Sequence, residues 1–442
     1  MYRVLDAQAS SDWQRLAGSR LFQKNVASGR LIATVPAEPE EAASIEMSGW
    51  DALVRHERVE VISYPYEWTF GMLQDAALLQ LELLLEGLEE NLIVRDSTPY
   101  NVQWRGVRPV FIDTPSFGEL DPGSPWLGYR QFCQLFLNPL MLQAYLGVPF
   151  QPWLRGNLDG IDPEVFRKLF RLTDVLRPGV LAHVFLQSSL ESSESRPSEA
   201  LRQEMREAGM HKQLILAVLK KLHKLVSGLT WKPARSRWSG YTEQRGYADA
   251  DLTMKETFVR QACRRQPVKT CWDVGANDGR FSLIAAETAQ NVLALDSDLL
   301  VLERLYGHLK ESKVQNILPL YFNFADPSPG LGWRRSERRP LSDRSQPELI
   351  LCLAVFHHLV ITANIPLEDL LDYLHSLGCR LVVEFVTRDD AMVKALLSAK
   401  DDPFLDYDLA CFERGIASRF DVAERQALPS GTRILFALTP KA

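Results

Sequence analysis

The sequence predicts an α/β chain: a doubly wound parallel sheet in the C-terminal part, with an α+β domain before it. Three observations predict this. The apolar, β-branched run Val268–Val274 breaks into the turn Gly275-Ala276-Asn277-Asp278-Gly279 and resumes as a helical pattern over Phe281–Glu287. A second apolar run, Asn291–Leu295, ends in acid at Asp296, about 20 residues past the turn. Upstream, a separate stretch sets Asp96, Asn101 and Asp113 around a hairpin pattern. A short β-branched run ended by glycine reads as a buried strand. Strand, Gly-rich turn and helix form the opening unit of a doubly wound sheet, whose ligand sits at the carboxyl ends of the strands.

The 442 residues accommodate two or three domains, and 46% hydrophobic with 24% charged residues is a globular composition. A net charge of −6 gives no reason to expect a large nucleic-acid surface. The six cysteines form no C-x-x-C pair, which argues against a zinc site or a disulfide framework and points to a reducing cytoplasm. With no signal pattern and no apolar run of spanning length, no membrane span is expected.

In chain order, residues 1–187 are expected to form the first domain. Arg30–Val35 and Val59–Tyr64 read as strands. Met72–Leu88 reads as an amphipathic helix, its leucines interrupted by Gln80, Glu82 and Glu86. A hairpin follows, with strands Val102–Trp104 and Pro109–Asp113 joined by Arg105-Gly106-Val107-Arg108. Helical patterns run from Trp126 to Leu186. The order helix, Arg95-Asp96…Asn101, hairpin, apolar-Asp113 resembles protein and aminoglycoside kinases. That resemblance implies a base at Asp96 and metal ligands at Asn101 and Asp113. The departures are Thr114-Pro115 after the acid, no Gly-rich phosphate loop, and only Lys24 as a poor phosphate lysine. A kinase-like domain without phosphotransfer is therefore expected.

Residues 188–243 read as a Ser-rich linker, a helix to about Leu229, and an aromatic and basic stretch. That stretch, Trp231 to Tyr247, is expected to act as a lid, with a nucleic-acid surface as the minority reading. Residues 244–442 form the doubly wound domain. Ile317–Phe324 is its third strand and loop, Glu348–Leu353 its fourth strand and Cys379–Val386 its fifth. Phe420–Val422 and Thr432–Leu438 close it as an antiparallel hairpin around Pro429-Ser430-Gly431.

Asp273 stands where a cationic amino group can be held, and an acid at the second strand's end takes ribose hydroxyls. A nicotinamide site would show G-x-G-x-x-G, which is absent here. D-x-G-A-N-x-G followed by an acidic strand end instead resembles the Rossmann-like class I S-adenosylmethionine (SAM) methyltransferases. The resemblance implies SAM as cofactor, held by Asp273, Gly275, Asn277, Gly279, Asp296, Asn323, Ala325, Asp326 and Leu353. Further stretches, including Tyr64-Pro65-Tyr66-Glu67-Trp68, Gly332-Trp333, His357-His358-Leu359 and Glu384-Phe385-Val386, look like a bacterial group that includes nodulation-type proteins of rhizobia. In that group the third-strand loop reads Asp-x-Ala-Asn-Pro-Ser-Pro. Here acid and amide are exchanged as Asn323 and Asp326, and either can meet the adenine amino group.

A sulfonium donor carries its own activation, so the protein aligns the nucleophile and removes a proton from a hydroxyl. His357 or His358 is a natural base, and Glu384 is a second candidate or the group that orients the histidine. The expected function is O-methylation of a small molecule or glycan, with the N-terminal domain shaping the acceptor site. The rivals are a bifunctional kinase and methyltransferase, a nucleic-acid or protein methyltransferase, and a SAM-binding scaffold without turnover.

Overall fold

The computed structural model describes residues 1–42, 45, 47–121, 125–186, 210–233, 249–400 and 404–441. The Ser-rich stretch 187–198 and most of the expected lid, 234–247, lie outside the described residues. The chain divides into two compact units, Met1–Lys232 and Pro233–Ala442.

In the first unit, β1 (Tyr2–Leu5), β2 (Thr34–Pro36) and β3 (Ala52–His56) form an antiparallel sheet in the order β1-β3-β2. Helices Ala7–Ala17 and Arg20–Ala27 begin at Asp6 and Ser19, whose side chains accept from Ala9 N and Phe22 N. Such caps satisfy amides that the first helical turn leaves without partners. The strand expected over Val59–Tyr64 is not formed, and the third strand lies earlier, at Ala52–His56. Exposed Glu57 and Arg58 precede that stretch, and exposed Glu60 lies within it. The chain then turns at Tyr64–Trp68, where Ser63 N donates to Gln103 Oε1 (2.8 Å) and Trp68 Nε1 donates to Ser63 Oγ (2.8 Å).

The leucine-rich helix runs from Phe70 to Glu89, two residues longer at its start than its periodicity suggests, because Thr69 caps it by accepting from Met72 N. It buries Leu73, Ala77, Leu81, Leu84 and Leu88. After it, β4 (Leu92–Val94) leads into the loop of Asp96 and Asn101. A tight hairpin follows, β5 (Val102–Arg105) with β6 (Arg108–Phe111), and then β7 (Phe117–Glu119), which returns to pair antiparallel with β4. Helix Met210–Gly228 packs on the leucine-rich helix, and Gln74 Nε2 donates to the carbonyls of Val226 (2.7 Å) and Leu229 (2.9 Å).

The second unit holds one seven-stranded sheet. Its strands are β8 (Thr270–Val274), β9 (Asn291–Asp296), β10 (Ile317–Tyr321), β11 (Leu349–Leu353), β12 (Arg380–Val386), β13 (Phe420–Ala427) and β14 (Arg433–Pro440). The order is β10-β9-β8-β11-β12-β14-β13. The first five strands in this order are mutually parallel, and β14 runs antiparallel between β12 and β13. A parallel sheet closed by an antiparallel hairpin is the Rossmann-like architecture of class I methyltransferases that the sequence resemblance implies. Every residue of β8 is buried, as expected of a central parallel strand covered on both faces. The order reverses at β8, so the carboxyl ends of β8, β9 and β11 open a crevice there. Among the described residues, no helix is long and apolar enough to cross a membrane.

Candidate active site

The crevice is shaped first by backbone. Gly275 has φ +75°, and a Cβ there would lie 2.6 Å from Val355 Cγ2, so the position excludes other residues twice over. Gly275 N and Ala276 N both donate to Leu295 O, at 2.8 and 3.1 Å, tying the turn to β9. Asn277 is also left-handed (φ +48°), a conformation that asparagine adopts more readily than most residues. Its N–H donates to Asp296 Oδ2 at 2.9 Å, and Asp298 N donates to Asp296 Oδ1 at 2.9 Å. The acid at the end of β9 is thus oriented by two backbone donors. Burial pushes its pKa up, and these hydrogen bonds pull it back.

A cavity of about 480 Å³ opens over this turn. Of the expected cofactor set, Gly275, Asn277, Asp296, Asn323, Ala325 and Leu353 line it, as does His358. Asp273, Gly279 and Asp326 do not, nor do His357 and Glu384. Gly279 serves packing: it begins helix Arg280–Ala286 at φ +78°, and a Cβ there would lie 2.3 Å from Leu305 Cδ1. Asp326 is exposed. Asp273 is buried at the end of β8 and accepts from Ser282 Oγ at 2.6 Å. Burial raises its pKa to about 6 against the lowering effects of Ser282 and Lys255.

Beside the cavity runs a chain of buried charges. Lys255, on helix Asp249–Arg265, lines the cavity, lies 4.6 Å over the Phe281 ring and is ion-paired with Glu384 on β12. The other Glu384 oxygen meets Arg433 Nη1 at 3.2 Å, and Arg433 Nε meets Asp390 Oδ2 at 2.9 Å. Burial lowers the pKa of Lys255, and the Glu384 carboxylate opposes that shift. Glu384 is fully buried between two cations, which suits a fixed anion better than a proton acceptor for substrate. His357 is 1% exposed, and neither ring nitrogen has a hydrogen-bond partner among the described residues. Burial, with His358, Arg433 and Lys255 nearby, drives its pKa well below the usual value, so it is neutral. Its ring centroid lies 4.0 Å from that of His358. Motif reading gave no site role to Lys255, Arg433 or Asp390. Arg433 opens β14 and Asp390 caps helix Ala391–Ser398, so their local sequence signals are those of a strand end and a helix start.

In the first unit, Asp96 lies exposed on the loop after β4, and Ile112 N donates to Asn101 O at 2.8 Å. Asp113 follows β6 and is ion-paired with Arg3. Burial pushes its pKa up, Arg3 pulls it down, and nearby Asp96 adds to the rise. Lys24 pairs with Glu86 at 3.2 Å. Among the described residues, no group of three or more His, Cys, Asp or Glu side chains is arranged to hold a metal.

No protein-family model matches the chain. In fold, it is similar to the N-methyltransferase NodS of Bradyrhizobium japonicum WM9, at 12% identity over 44% of this chain and 99% of that one, with TM-score 0.33. It is similar likewise to the magnesium protoporphyrin IX methyltransferase ChlM of Synechocystis PCC 6803 with bound SAH, at 15% identity over 44% and 90%, with TM-score 0.30. In sequence, it is similar along almost its whole length to the nodulation protein NoeA of Rhizobium meliloti (strain 1021). The two are 30% identical over 436 residues, which span 98% of this chain and 91% of that protein. The chain therefore belongs to the NoeA family of nodulation proteins.

Proposed function

We propose that the protein is a SAM-dependent methyltransferase that methylates a hydroxyl of a small molecule or glycan, with the N-terminal unit contributing to acceptor recognition. One observation carries this reading. Asp296, oriented by two backbone N–H groups, shares a cavity with the left-handed Gly275–Asn277 turn at the point where the strand order reverses. An acid fixed in this way suits two vicinal ribose hydroxyls. Asn323, in the loop after β10, and Leu353, at the end of β11, both line the cavity and suit the polar edge and the face of an adenine ring. Lys255 offers the cavity a cation for a carboxylate, and Glu384 holds it in place. SAM, when bound, supplies a methyl group already activated by the sulfonium.

The remaining task falls to a proton acceptor. His358 is the histidine that lines the cavity, while neutral His357 lies behind it. We assign the base role to His358 and a positioning role to Glu384, through Lys255. The deciding experiment measures SAM affinity by calorimetry and turnover by release of S-adenosylhomocysteine. His358→Ala is expected to bind SAM normally and to lose about 10²–10⁴-fold in rate. Turnover and SAM affinity both unchanged in Asp296→Ala would overturn the reading.

The N-terminal unit we read as kinase-like and without phosphotransfer. Support comes from the order of helix, β4, Asp96–Asn101 loop, hairpin, Asp113 and β7, with β7 pairing back onto β4. Arg3 on Asp113 occupies the carboxylate that a phosphotransferase commits to metal. Mg·ATP is therefore expected to leave the melting temperature unchanged, and a saturable rise would revive the bifunctional reading.

A further inference from the structure

The first unit contains a second cavity, of about 830 Å³, within the range of small-ligand sites (about 300–1,000 Å³). It is formed by three segments separate in sequence. Thr98 and Tyr100 come from the Asp96–Asn101 loop, and Trp153, Asn157 and Asp159 come from the end of helix Gln151–Gly156 and the loop after it. Arg130 and Gln134 complete the polar wall.

The walls are built rigidly. Gly160 has φ +80°, and a Cβ there would lie 2.3 Å from Gln134 O, so the loop lies directly on the π-helical turn Cys133–Leu137. Ile161 N donates to Gln134 O at 2.9 Å, and Asn138 Nδ2 donates to Ile161 O at 3.1 Å. On the other side, Ser97 N donates to Gln131 Oε1 at 2.6 Å, fixing the start of the Thr98–Tyr100 segment. A π-helical turn beside a cavity is a feature that recurs at functional sites.

The lining selects the ligand class. An indole and a phenol supply apolar faces with polar edges. Asn157, Gln134, Asp159, Asp162 and Arg130 supply planar donors and acceptors around them. Two carboxylates against one guanidinium disfavour a phosphate or nucleotide, and Arg130 disfavours a cationic amine. Leu135, Leu158, Ile161 and Val165 add aliphatic surface, and an acyl chain against it would leave the polar side chains set among them without hydrogen-bond partners. What remains is an uncharged ring bearing several hydroxyls. We infer that this cavity is a carbohydrate-binding site for neutral oligosaccharides, with Trp153 as the stacking platform and Asp159 and Asn157 as hydroxyl partners. The site gives a ligand class to the recognition role of the N-terminal unit. It does not rest on methyl transfer, because binding is measured without SAM.

The test titrates the full chain, by calorimetry and tryptophan fluorescence, with tetrasaccharides of glucose, galactose and N-acetylglucosamine. One of them is expected to bind with a Kd below about 1 mM. Trp153→Ala and Asp159→Ala are each expected to weaken that binding by about tenfold or more. Trp333→Ala, at an exposed tryptophan in the other unit, is expected to leave it unchanged. If Trp153→Ala lowers the melting temperature, the exposed Asp159 decides the matter. Absence of binding by all three sugars, or affinity indifferent to Asp159→Ala, would overturn the inference. So would preferential binding of glucose 6-phosphate, since it would contradict the charge argument. Loss of SAM turnover in these variants has no bearing on it.

Discussion

Arg3 sets its guanidinium on the carboxylate of Asp113, 110 residues along the chain, with Nη1 2.5 Å from Oδ1. The Asp113 side chain is 17% exposed and that of Arg3 is 51% exposed, so the pair is half-screened. Arg3→Ala leaves a mostly buried carboxylate close to Asp96. The expected loss is about 1–2 kcal/mol, well below the figure for a fully buried pair, and is read by urea denaturation. Asp113→Asn is expected to leave methyl transfer intact.

Glu384→Gln removes the carboxylate that Lys255 and Arg433 share in the interior, while Arg433 keeps its pair with Asp390. Breaking a buried pair on one side costs about 3–5 kcal/mol. The double variant Lys255→Met/Glu384→Leu is expected to recover part of that stability but not SAM affinity. Denaturant unfolding with calorimetry checks both halves. Full recovery of SAM binding in the double variant would remove Lys255 from the donor site.

Asp296→Asn keeps the shape of the side chain and removes its charge. Hydrogen bonds to charged groups contribute about 1.5–3 kcal/mol, so SAM affinity is expected to fall by roughly 10–100-fold. Calorimetry reads this directly, and an unchanged Kd would contradict the role given to Asp296.

Gly275→Ala combines a left-handed backbone with a Cβ 2.6 Å from Val355 Cγ2. The backbone cost alone is about 1–2 kcal/mol. Adding Val355→Ala removes the clash and leaves the conformational cost, so it is expected to restore stability only partly. Melting temperatures of the two variants separate these terms.

His56 and His183 are both held with pKa values lowered to about 4, chiefly by burial. His56 Nδ1 meets Thr34 Oγ1 at 2.8 Å, and His183 Nδ1 meets Tyr129 OH at 2.7 Å. A lowered histidine pKa means that the unfolded chain binds more protons between the two values. The stabilisation is complete above pH 6.5 and is lost as pH falls toward about 4. The melting temperature is expected to drop through that window, and the double variant His56→Gln/His183→Gln is expected to flatten the drop.

Much of the second unit was legible in the chain. The Gly275–Gly279 turn, the acidic end of β9 and the closing hairpin all follow from residues adjacent in sequence, because turn chemistry and strand periodicity are local. The hairpin nevertheless runs longer than its apolar alternation, since β13 carries exposed residues along most of its length and is ordered by pairing with β14. In the first unit, no strand forms over the expected Val59–Tyr64, and the third strand is Ala52–His56, whose place is set by pairing with β1 and β2 on either side.

The sequence by itself determined the fold class of the second unit, the turn that shapes its cavity and the acids near it. Only the tertiary structure decided which of those acids line the cavity, that Glu384 is paired with Lys255 and Arg433, and that Arg3 lies on Asp113. The division has a physical reason. Backbone conformation is governed by neighbours a few residues apart. The environment of a charge is governed by burial and by partners that lie 49 to 129 positions away here, from Arg433–Glu384 through Arg3–Asp113 to Lys255–Glu384 (384 minus 255), and no local pattern records them.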